Sequence, residues 1–224
     1  MFFSLYSPIL IILSVSIGIT SSYTALALFE RMFDSTRIKK VTWVLLGSLI
    51  MGMGIFLMHF VGMMASHINL IMSYNPALLA VALITSIIFS FVAFYIPYAQ
   101  PHSKSKVILS GLVNGTGIVL THYISFSAIS GLLTIQYNSV YFTLSILIAM
   151  IFSLIASKVF FATKKNQNSI FRKISSAVSL GLAISLMHYT GMKVILFEPH
   201  SHHVLPGINP FTLSLIVSAM CLLL

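Results

Sequence analysis

Charged residues are scarce in this 224-residue chain, which has only three acidic side chains. They make up 7% of the sequence, whereas soluble globular domains carry roughly a quarter. The carboxylates Glu30, Asp34 and Glu198 offer no pair for acid–base catalysis. Neither a glycine-rich phosphate loop nor a nucleophile elbow is present in the sequence. The single cysteine, Cys221, excludes a disulfide-stapled secreted fold. We therefore expect neither a soluble domain nor an enzyme.

Apolar residues dominate instead, at 58% of the sequence. Since about 20 consecutive apolar residues cross the hydrocarbon core, the apolar runs predict six membrane-spanning helices and a short seventh. These runs are 8–29, 41–65, 77–99, 107–130, 140–162, 174–197 and 210–224. The last would rise only about 22 Å as a helix, so we expect it to be truncated and the natural chain to continue past Leu224. The predicted fold is an all-α, polytopic transmembrane helix bundle.

The basic residues indicate the orientation of this bundle. Eleven of the 12 lysines and arginines lie in alternate connections, near 31–40, 104–106 and 158–173. The intervening connections contain none. By the positive-inside rule, the basic connections face the cytoplasm and the N-terminus lies outside. The net charge of +9 then reflects topology and contact with anionic lipid, and we expect no nucleic-acid partner.

An internal repeat organises the even-numbered spans. Three nine-residue segments, 52–60, 115–123 and 181–189, align without gaps. Each has a glycine seven residues before a histidine, an isoleucine four residues before it and an aromatic residue directly after it. Small residues let membrane helices approach closely, so we expect the glycines to bring the even-numbered helices together.

The odd-numbered spans repeat as well, because each opens with a capping residue suited to a helix start. The capping residues are Ser7, Asn75, Asn138 and Asn209. The chain therefore divides into three two-helix repeats within one domain, followed by a connecting helix. The boundaries are about 7–74, 75–137 and 138–208 for the repeats and 209–224 for the connecting helix.

Three histidines occupy equivalent positions of the repeat. His59, His122 and His188 lie about 21–27 Å along their spans from the cytoplasmic start, and thus at similar depth in the outer third of the bilayer. One such histidine would most simply be a hydrogen-bonded structural residue. Because polar groups in lipid are costly without partners, three at one depth predict a shared site.

Methionines beside these histidines indicate the chemistry of the site. Met63 and Met192 follow His59 and His188 by four residues, which places each pair on one helix face. Met58 and Met187 immediately precede the same two histidines. Imidazole and thioether ligands together favour copper, particularly the cuprous ion, over magnesium or calcium.

Residues 187–190 read Met-His-Tyr-Thr, and variants of this motif occupy 58–61 and 121–124. In this motif, and in its three repeats over almost the whole chain, the sequence resembles the MHYT family of bacterial membrane sensor domains. The resemblance implies a multi-pass protein of the bacterial cytoplasmic (inner) membrane. It also implies copper binding through Met, His and Tyr, and sensing of oxygen, carbon monoxide, nitric oxide or redox state. Cytoplasmic output domains that make or degrade cyclic di-GMP are the implied partners.

The resemblance also implies a set of metal ligands in this chain, with two departures from the family pattern. Phe60 offers no phenol oxygen, and Thr121 and Phe126 stand where the other repeats have methionine. We therefore expect a site dominated by the first and third repeats, with His122 as the third nitrogen donor. The implied ligands are Met58, His59, His122, Tyr123, Met187, His188 and Tyr189.

Other interpretations remain open at this point. His200, His202 and His203 stand beside Glu198 in an outer loop, which is either a metal-capture site above the membrane or a solvated loop. The buried histidines would also suit haem b as axial ligands. Repeated helix units also build metal or small-solute transporters, although the polar groups here cluster near one face. A copper enzyme acting on outer-face substrates is the weakest alternative.

Overall fold

The computed structural model describes residues 7–33, 35, 37–66, 72–98, 103–131, 133–162, 169–199 and 207–223. Within these residues it contains seven α-helices and four short strands. The helices are α1 (Pro8–Phe33), α2 (Arg37–Ala65), α3 (Pro76–Tyr95), α4 (Lys104–Ser127), α5 (Ser139–Phe160), α6 (Ser169–Gly191) and α7 (Pro210–Leu223). The strands are β1 (Met72–Tyr74), β2 (Ile129–Gly131), β3 (Leu133–Tyr137) and β4 (Ile195–Pro199). Helices α1 to α6 are long and apolar enough to cross a membrane, whereas α7 is shorter.

The helix starts predicted after the four capping residues are confirmed, and asparagine side chains cap three of them. The even-numbered helices begin earlier than predicted, at Arg37, Lys104 and Ser169. The Oδ1 atom of Asn75 accepts hydrogen bonds from the backbone N–H groups of residues 77 and 78, at 2.9 and 3.3 Å. Asn138 does the same at the start of α5, and Asn209 accepts from the N–H of Thr212 at 2.8 Å. These caps satisfy N–H groups that have no partner within the helix.

The six long helices form a closed ring. Each packs against the next along the chain, and α6 packs against α1. The even-numbered helices also contact one another across the middle, so they line the axis and the odd-numbered helices fill the grooves between them. Burial reflects this arrangement, because 72% of the most apolar part of α2 is buried but only 33% of that part of α3. The exposed faces of the odd helices carry large apolar residues such as Ile84, Ile88 and Ile151, as expected for contact with lipid.

Small residues on the inner faces of the odd helices allow this close packing. They recur at matching positions, 7, 11, 15 and 18 residues after Ser7, Asn75 and Asn138, and all are buried. They are Ser14, Gly18, Ser22 and Ala25 on α1, Ala82, Ser86, Ser90 and Ala93 on α3, and Ser145, Ala149, Ser153 and Ala156 on α5.

The glycines of the repeat pack against odd helices, so the expectation that they bring the even helices together is wrong. A Cβ atom at Gly52 would lie 2.8 Å from the Cα of Ile87 on α3, and one at Gly181 would lie 3.0 Å from the Cα of Ile19 on α1. The physical reason is the ring itself. Each odd helix sits in the groove between two even helices, and the closest backbone approach occurs there.

Two antiparallel strand pairs cover the end of the bundle where the even helices finish. β1 pairs with β2, and β3 pairs with β4. The predicted spans ending at 130 and 197 therefore extend too far, because α4 ends at Ser127 and α6 at Gly191. Apolar residues such as Ile195 and Leu196 suit a buried helix and a strand equally well. Pairing with β3, which is distant in sequence, makes residues 195–199 a strand instead of a continuation of α6.

Ionic and aromatic contacts join helices at the opposite end, which the basic residues assign to the cytoplasm. The Nζ atom of Lys173 on α6 lies 2.6 Å from an Oε2 atom of Glu30 on α1. The guanidinium of Arg31 lies 5.4 Å from the ring centre of Trp43 on α2, within the range of a cation–π contact. The first contact closes the ring between its first and last helices.

The glycine contacts predict a difference in stability between two matched substitutions. Gly52→Ala should lower the free energy of unfolding by about 1–3 kcal/mol, because the new methyl group meets the backbone of Ile87. Gly18→Ala should be neutral or slightly stabilising, because its nearest neighbours would lie at an ordinary 3.6 Å. Thermal unfolding in detergent, followed by the fluorescence of Trp43, measures both. Equal effects would contradict the close α2–α3 contact.

Candidate metal centre

The structure brings the three predicted histidines together on the bundle axis. His59 on α2, His122 on α4 and His188 on α6 are each at most 2% exposed. They meet because each occupies the same repeat position on an axis-lining helix. The sequence repeat is therefore also a repeat in space.

The Nδ1 atoms of the three histidines form a nearly equilateral triangle. Its edges are 3.1 Å between His59 and His122, 3.2 Å between His188 and His59, and 3.3 Å between His188 and His122. The ring centres are 5.0–5.2 Å apart and the ring planes lie at 85–88° to one another. The imidazoles thus form a three-bladed propeller, with one nitrogen of each ring turned towards the common axis.

This geometry fits a metal ion at the centre of the triangle. A point equidistant from the three nitrogens lies about 1.8–1.9 Å from each, which is the mean edge divided by √3. A bond of about 2.0–2.1 Å is typical for imidazole on zinc, so the three Nδ1 atoms are spaced closely enough to hold one metal ion together.

Three neutral imidazoles in this arrangement do not satisfy one another's nitrogens. A ring nitrogen carries either a lone pair or an N–H in the plane of the ring. Three N–H groups would collide at the centre, and three lone pairs would repel one another. One N–H directed at the centre is shared between the other two nitrogens, and those two still face each other without a proton between them. A cation at the centre would satisfy all three lone pairs.

The Nε2 atoms of two of the rings, those of His188 and His122, lie against glycines. A Cβ atom at Gly62 of α2 would stand 2.5 Å from Nε2 of His188, and one at Gly191 of α6 would collide with Nε2 of His122. Ser125 occupies the matching position of α4, three residues after the histidine. Among the described residues, the Nε2 atoms of His59 and His122 have no hydrogen-bond partner. Small residues at this position let each ring reach the axis.

A small cavity of about 10 Å³ adjoins the triangle. Three isoleucines, Ile55, Ile118 and Ile184, lie one turn before the histidines and line it. Met58 and Met187 line it too, so two of the predicted sulfur donors share this space with the histidines. This volume is about that of one water-sized sphere.

The other predicted sulfur donors lie one turn beyond the histidines. Met63 and Met192 are buried, at 9% and 5% exposed, but they do not line the cavity. Phe126, at the matching position of the second repeat, packs its ring edge-on to His59 and His122. These residues cover the cluster on its outer side. Whether the two methionines bind metal remains a prediction.

The two predicted tyrosine ligands face the odd helices instead. The hydroxyl of Tyr189 hydrogen-bonds to Oγ of Ser14 on α1 at 2.7 Å. That of Tyr123 bonds to Oγ of Ser145 on α5 at 2.8 Å. Both serines belong to the small-residue faces that pack against the even helices. This geometry favours a role for the tyrosines in helix packing and argues against the implied coordination through oxygen.

The first repeat lacks both members of this tyrosine–serine pair. Phe60 replaces the tyrosine, and Ala82, seven residues after Asn75 on α3, occupies the position that corresponds to Ser14 and Ser145. The hydroxyl groups are thus absent together, which avoids leaving a buried hydroxyl without a partner. The pairing of the two positions supports a structural role for both.

Sequence reasoning missed the serines and the glycines that adjoin the rings. A small residue stands three positions after the histidine in all three repeats, as Gly62, Ser125 and Gly191, and this signal would have identified them. The outer-loop histidines predicted as a second site, His200, His202 and His203, lie outside the described residues.

The model of the MHYT family, described as a bacterial signalling protein N-terminal repeat, matches residues 52–111 and 115–171. Each matched segment begins at a glycine seven residues before a histidine of the cluster. No solved structure matches the chain.

Curated relatives carry the same region within much longer proteins. The chain is 40% identical over 205 residues to the signaling protein YkoW of Bacillus subtilis, covering 90% of this chain and 25% of that protein. It is 31% identical over 198 residues to MucR of Pseudomonas aeruginosa, a bifunctional diguanylate cyclase/cyclic di-GMP phosphodiesterase, covering 88% and 29%. It is 28% identical over 195 residues to NbdA of the same organism, a cyclic di-GMP phosphodiesterase, covering 86% and 25%.

The chain thus spans about a quarter of the length of these relatives. The repeat match, the six apolar helices and the shared signalling relatives agree with one another. The chain belongs to the MHYT family, as a multi-pass signalling domain of the bacterial inner membrane.

Proposed function

We propose that this domain binds one copper ion through the Nδ1 atoms of His59, His122 and His188, and that it senses a diatomic gas or the redox state at this ion. The observation that carries the proposal is the convergence of three buried imidazole nitrogens within 3.3 Å of one another. A neutral, buried site that offers three lone pairs to one point is suited to a cation and to little else.

The donor set favours copper. The three nitrogens share their cavity with the thioethers of Met58 and Met187, and soft ligands of this kind select cuprous copper. Among the described residues, the group of potential metal ligands contains no carboxylate, which disfavours magnesium, calcium and manganese. A bound cuprous ion would supply a soft Lewis acid for a small neutral ligand. In oxidising surroundings the ion itself would give up one electron and become cupric.

The cavity favours a small apolar ligand. Its volume of about 10 Å³ and its walls of Ile55, Ile118 and Ile184 suit a diatomic molecule better than a hydrated ion. Oxygen, carbon monoxide and nitric oxide dissolve in lipid and can reach a site at this depth through the bilayer.

The alternative of haem b fits the packing poorly. Axial histidines lie on opposite faces of a porphyrin, whereas these three imidazoles crowd one point within 3.3 Å. The adjoining cavity is far too small for the macrocycle. A Soret band in the purified protein would nevertheless reinstate this alternative.

Transport through the bundle fits poorly as well. The three isoleucines that line the cavity are each at most 2% exposed and lie on the axis one turn inward of the histidines. This apolar layer leaves no polar route past the cluster within the described residues.

We infer that the output of the sensor is cyclic di-GMP signalling. Two of the relatives are named for making or degrading this messenger, and the matched region is a quarter of their length. The domain would control such an activity in an attached cytoplasmic domain or in a partner protein.

The histidine triangle predicts one copper per chain. Protein purified in lipid nanodiscs and loaded with cuprous ion should hold stoichiometric copper by mass spectrometry. His59→Gln, His122→Gln and His188→Gln should each lower the affinity by about 100-fold or more, since even outer partners of metal ligands contribute 10–100-fold. His102→Gln replaces a histidine of the connection between α3 and α4, which the positive-inside rule assigns to the cytoplasmic side, and serves as the matched control. Absence of copper after both reducing and oxidising preparation would overturn the proposal.

The isoleucine-lined cavity predicts a variant that binds metal but not gas. Ile184→Phe should fill the space beside the triangle, retain copper and weaken carbon monoxide binding by about tenfold or more. Ile184→Leu keeps the volume and should behave as wild type. Infrared spectroscopy of ¹²CO and ¹³CO on the cuprous protein measures the binding. Unchanged affinity in the phenylalanine variant would show that the gas binds elsewhere.

A further inference from the structure

Phe60 connects the histidine cluster with the strand that leads away from it. It is 1% exposed and follows His59 directly on α2. Its ring packs edge-on to the His59 ring, with centres 4.8 Å apart, and edge-on to the ring of Tyr74, with centres 6.0 Å apart. A change in the position of His59 would therefore act first on Phe60 and then on Tyr74.

The main chain of Tyr74 holds the residues that precede α7. Its N–H donates to the carbonyl of Ile208 at 2.8 Å, and its carbonyl accepts from the N–H of Ile208 at 2.9 Å. Gly207 lies against the same carbonyl, where a Cβ atom would approach to 2.6 Å. Two residues after Ile208, α7 begins at Pro210. Tyr74 and the start of α7 are thus joined by two backbone hydrogen bonds.

Tyr74 packs as a neutral ring in this position. Its side chain is 6% exposed, and burial raises the pKa of its phenol above the usual value of 10. The phenol therefore stays protonated at physiological pH, and the ring contact with Phe60 persists without change of charge.

The helix α7 rests on the same parts of the molecule. It packs against α2 and β1, and its residues Leu213 and Val217 are buried against the bundle, at 3% and 2% exposed. A displacement of α2 or β1 therefore changes the surface on which α7 lies.

The other two repeats are restrained at the corresponding point. The tyrosines that replace Phe60 there are hydrogen-bonded to Ser14 and Ser145 on neighbouring odd helices. Phe60 has no hydroxyl, and α3 has Ala82 at the position that corresponds to these serines. The first repeat is the one in which the aromatic neighbour of the histidine lacks this bond, and its elements α2 and β1 pack against α7.

We propose that Phe60 transmits the state of the histidine site to α7 through Tyr74 and its backbone pairing with Ile208. This inference rests on the proposed function, since it assigns the output route of the same site. A ligand moves α7 only if it binds two packings of the bundle with different affinity, and Phe60 is where those packings would differ. The support for this proposal is a continuous series of contacts from His59 to Ile208, so it requires a direct test of coupling.

The single cysteine of the chain, Cys221, lies in α7 and permits this test without removal of other thiols. Protein in nanodiscs is labelled there with a trifluoromethyl group, and its ¹⁹F spectrum is recorded before and after loading with cuprous ion. Wild type should show a copper-dependent shift. Phe60→Leu should reduce that shift by about threefold or more while copper content and affinity stay near wild type.

Two further variants separate coupling from simple loss of packing. F60Y/A82S gives the first repeat the tyrosine–serine pair of the other two and should also reduce the shift, although the aromatic ring is retained. Tyr123→Phe removes the corresponding bond from the second repeat and should leave the shift intact. Copper content and melting temperature of each variant report on the site and on folding.

The outcomes distinguish this inference from the proposed function. If wild type binds copper but the label does not respond, or if Phe60→Leu and F60Y/A82S both respond as wild type does, the route through Phe60 is wrong and the copper site stands. If wild type binds no copper, both proposals fail. If Phe60→Leu loses copper, the test rests on F60Y/A82S, which retains an aromatic neighbour for His59. A reduced shift in that variant supports the route through Phe60, and a wild-type shift contradicts it.

Discussion

The mutual approach of three imidazole nitrogens is the constraint around which this bundle is organised. Polar groups buried in an apolar medium need partners, and the Nδ1 atoms of these three histidines face one another. Their Nδ1 atoms converge to 3.1–3.3 Å, a spacing that is unfavourable for lone pairs and favourable for a cation. The bundle must therefore hold the rings in place by packing, because at least two of the facing nitrogens have no proton between them. Binding of an ion would add to the stability of the folded state.

That packing is supplied by small residues in two sets. Serine, alanine and glycine on the odd helices let those helices settle into the grooves between the even ones. Gly62 and Gly191 then leave room for the imidazole rings at the axis. The first set fixes the distance between helix backbones, and the second fixes how far each ring reaches inward. The site is thus built mainly by residues that would not bind the ion.

The sequence predicts much of this arrangement, because the repeat carries the information. Helix number, helix starts at the capping residues, and the equivalence of the three histidines follow from periodicity and spacing alone. The helix ends at Ser127 and Gly191 do not follow, since pairing with a distant strand replaces helix there. The pattern of residues along one helix also does not predict where the tyrosine hydroxyls point. Their direction depends on the neighbouring odd helix, and only comparison of Tyr189–Ser14 and Tyr123–Ser145 with Phe60–Ala82 reveals the pairing.

The closed order of contacts, in which α6 returns to α1, has an evolutionary consequence. Each two-helix repeat contributes one histidine, so an isolated ancestral repeat would need to form a homotrimer to complete the triangle. Fusion into a single chain replaces that three-body association with folding, at an effective concentration fixed by short connections. Once fused, the three hairpins no longer have to be identical. Substitutions such as those at Phe60, Ala82 and Thr121 can then occur in one repeat alone. In a trimer of identical chains, every subunit would carry the same substitution.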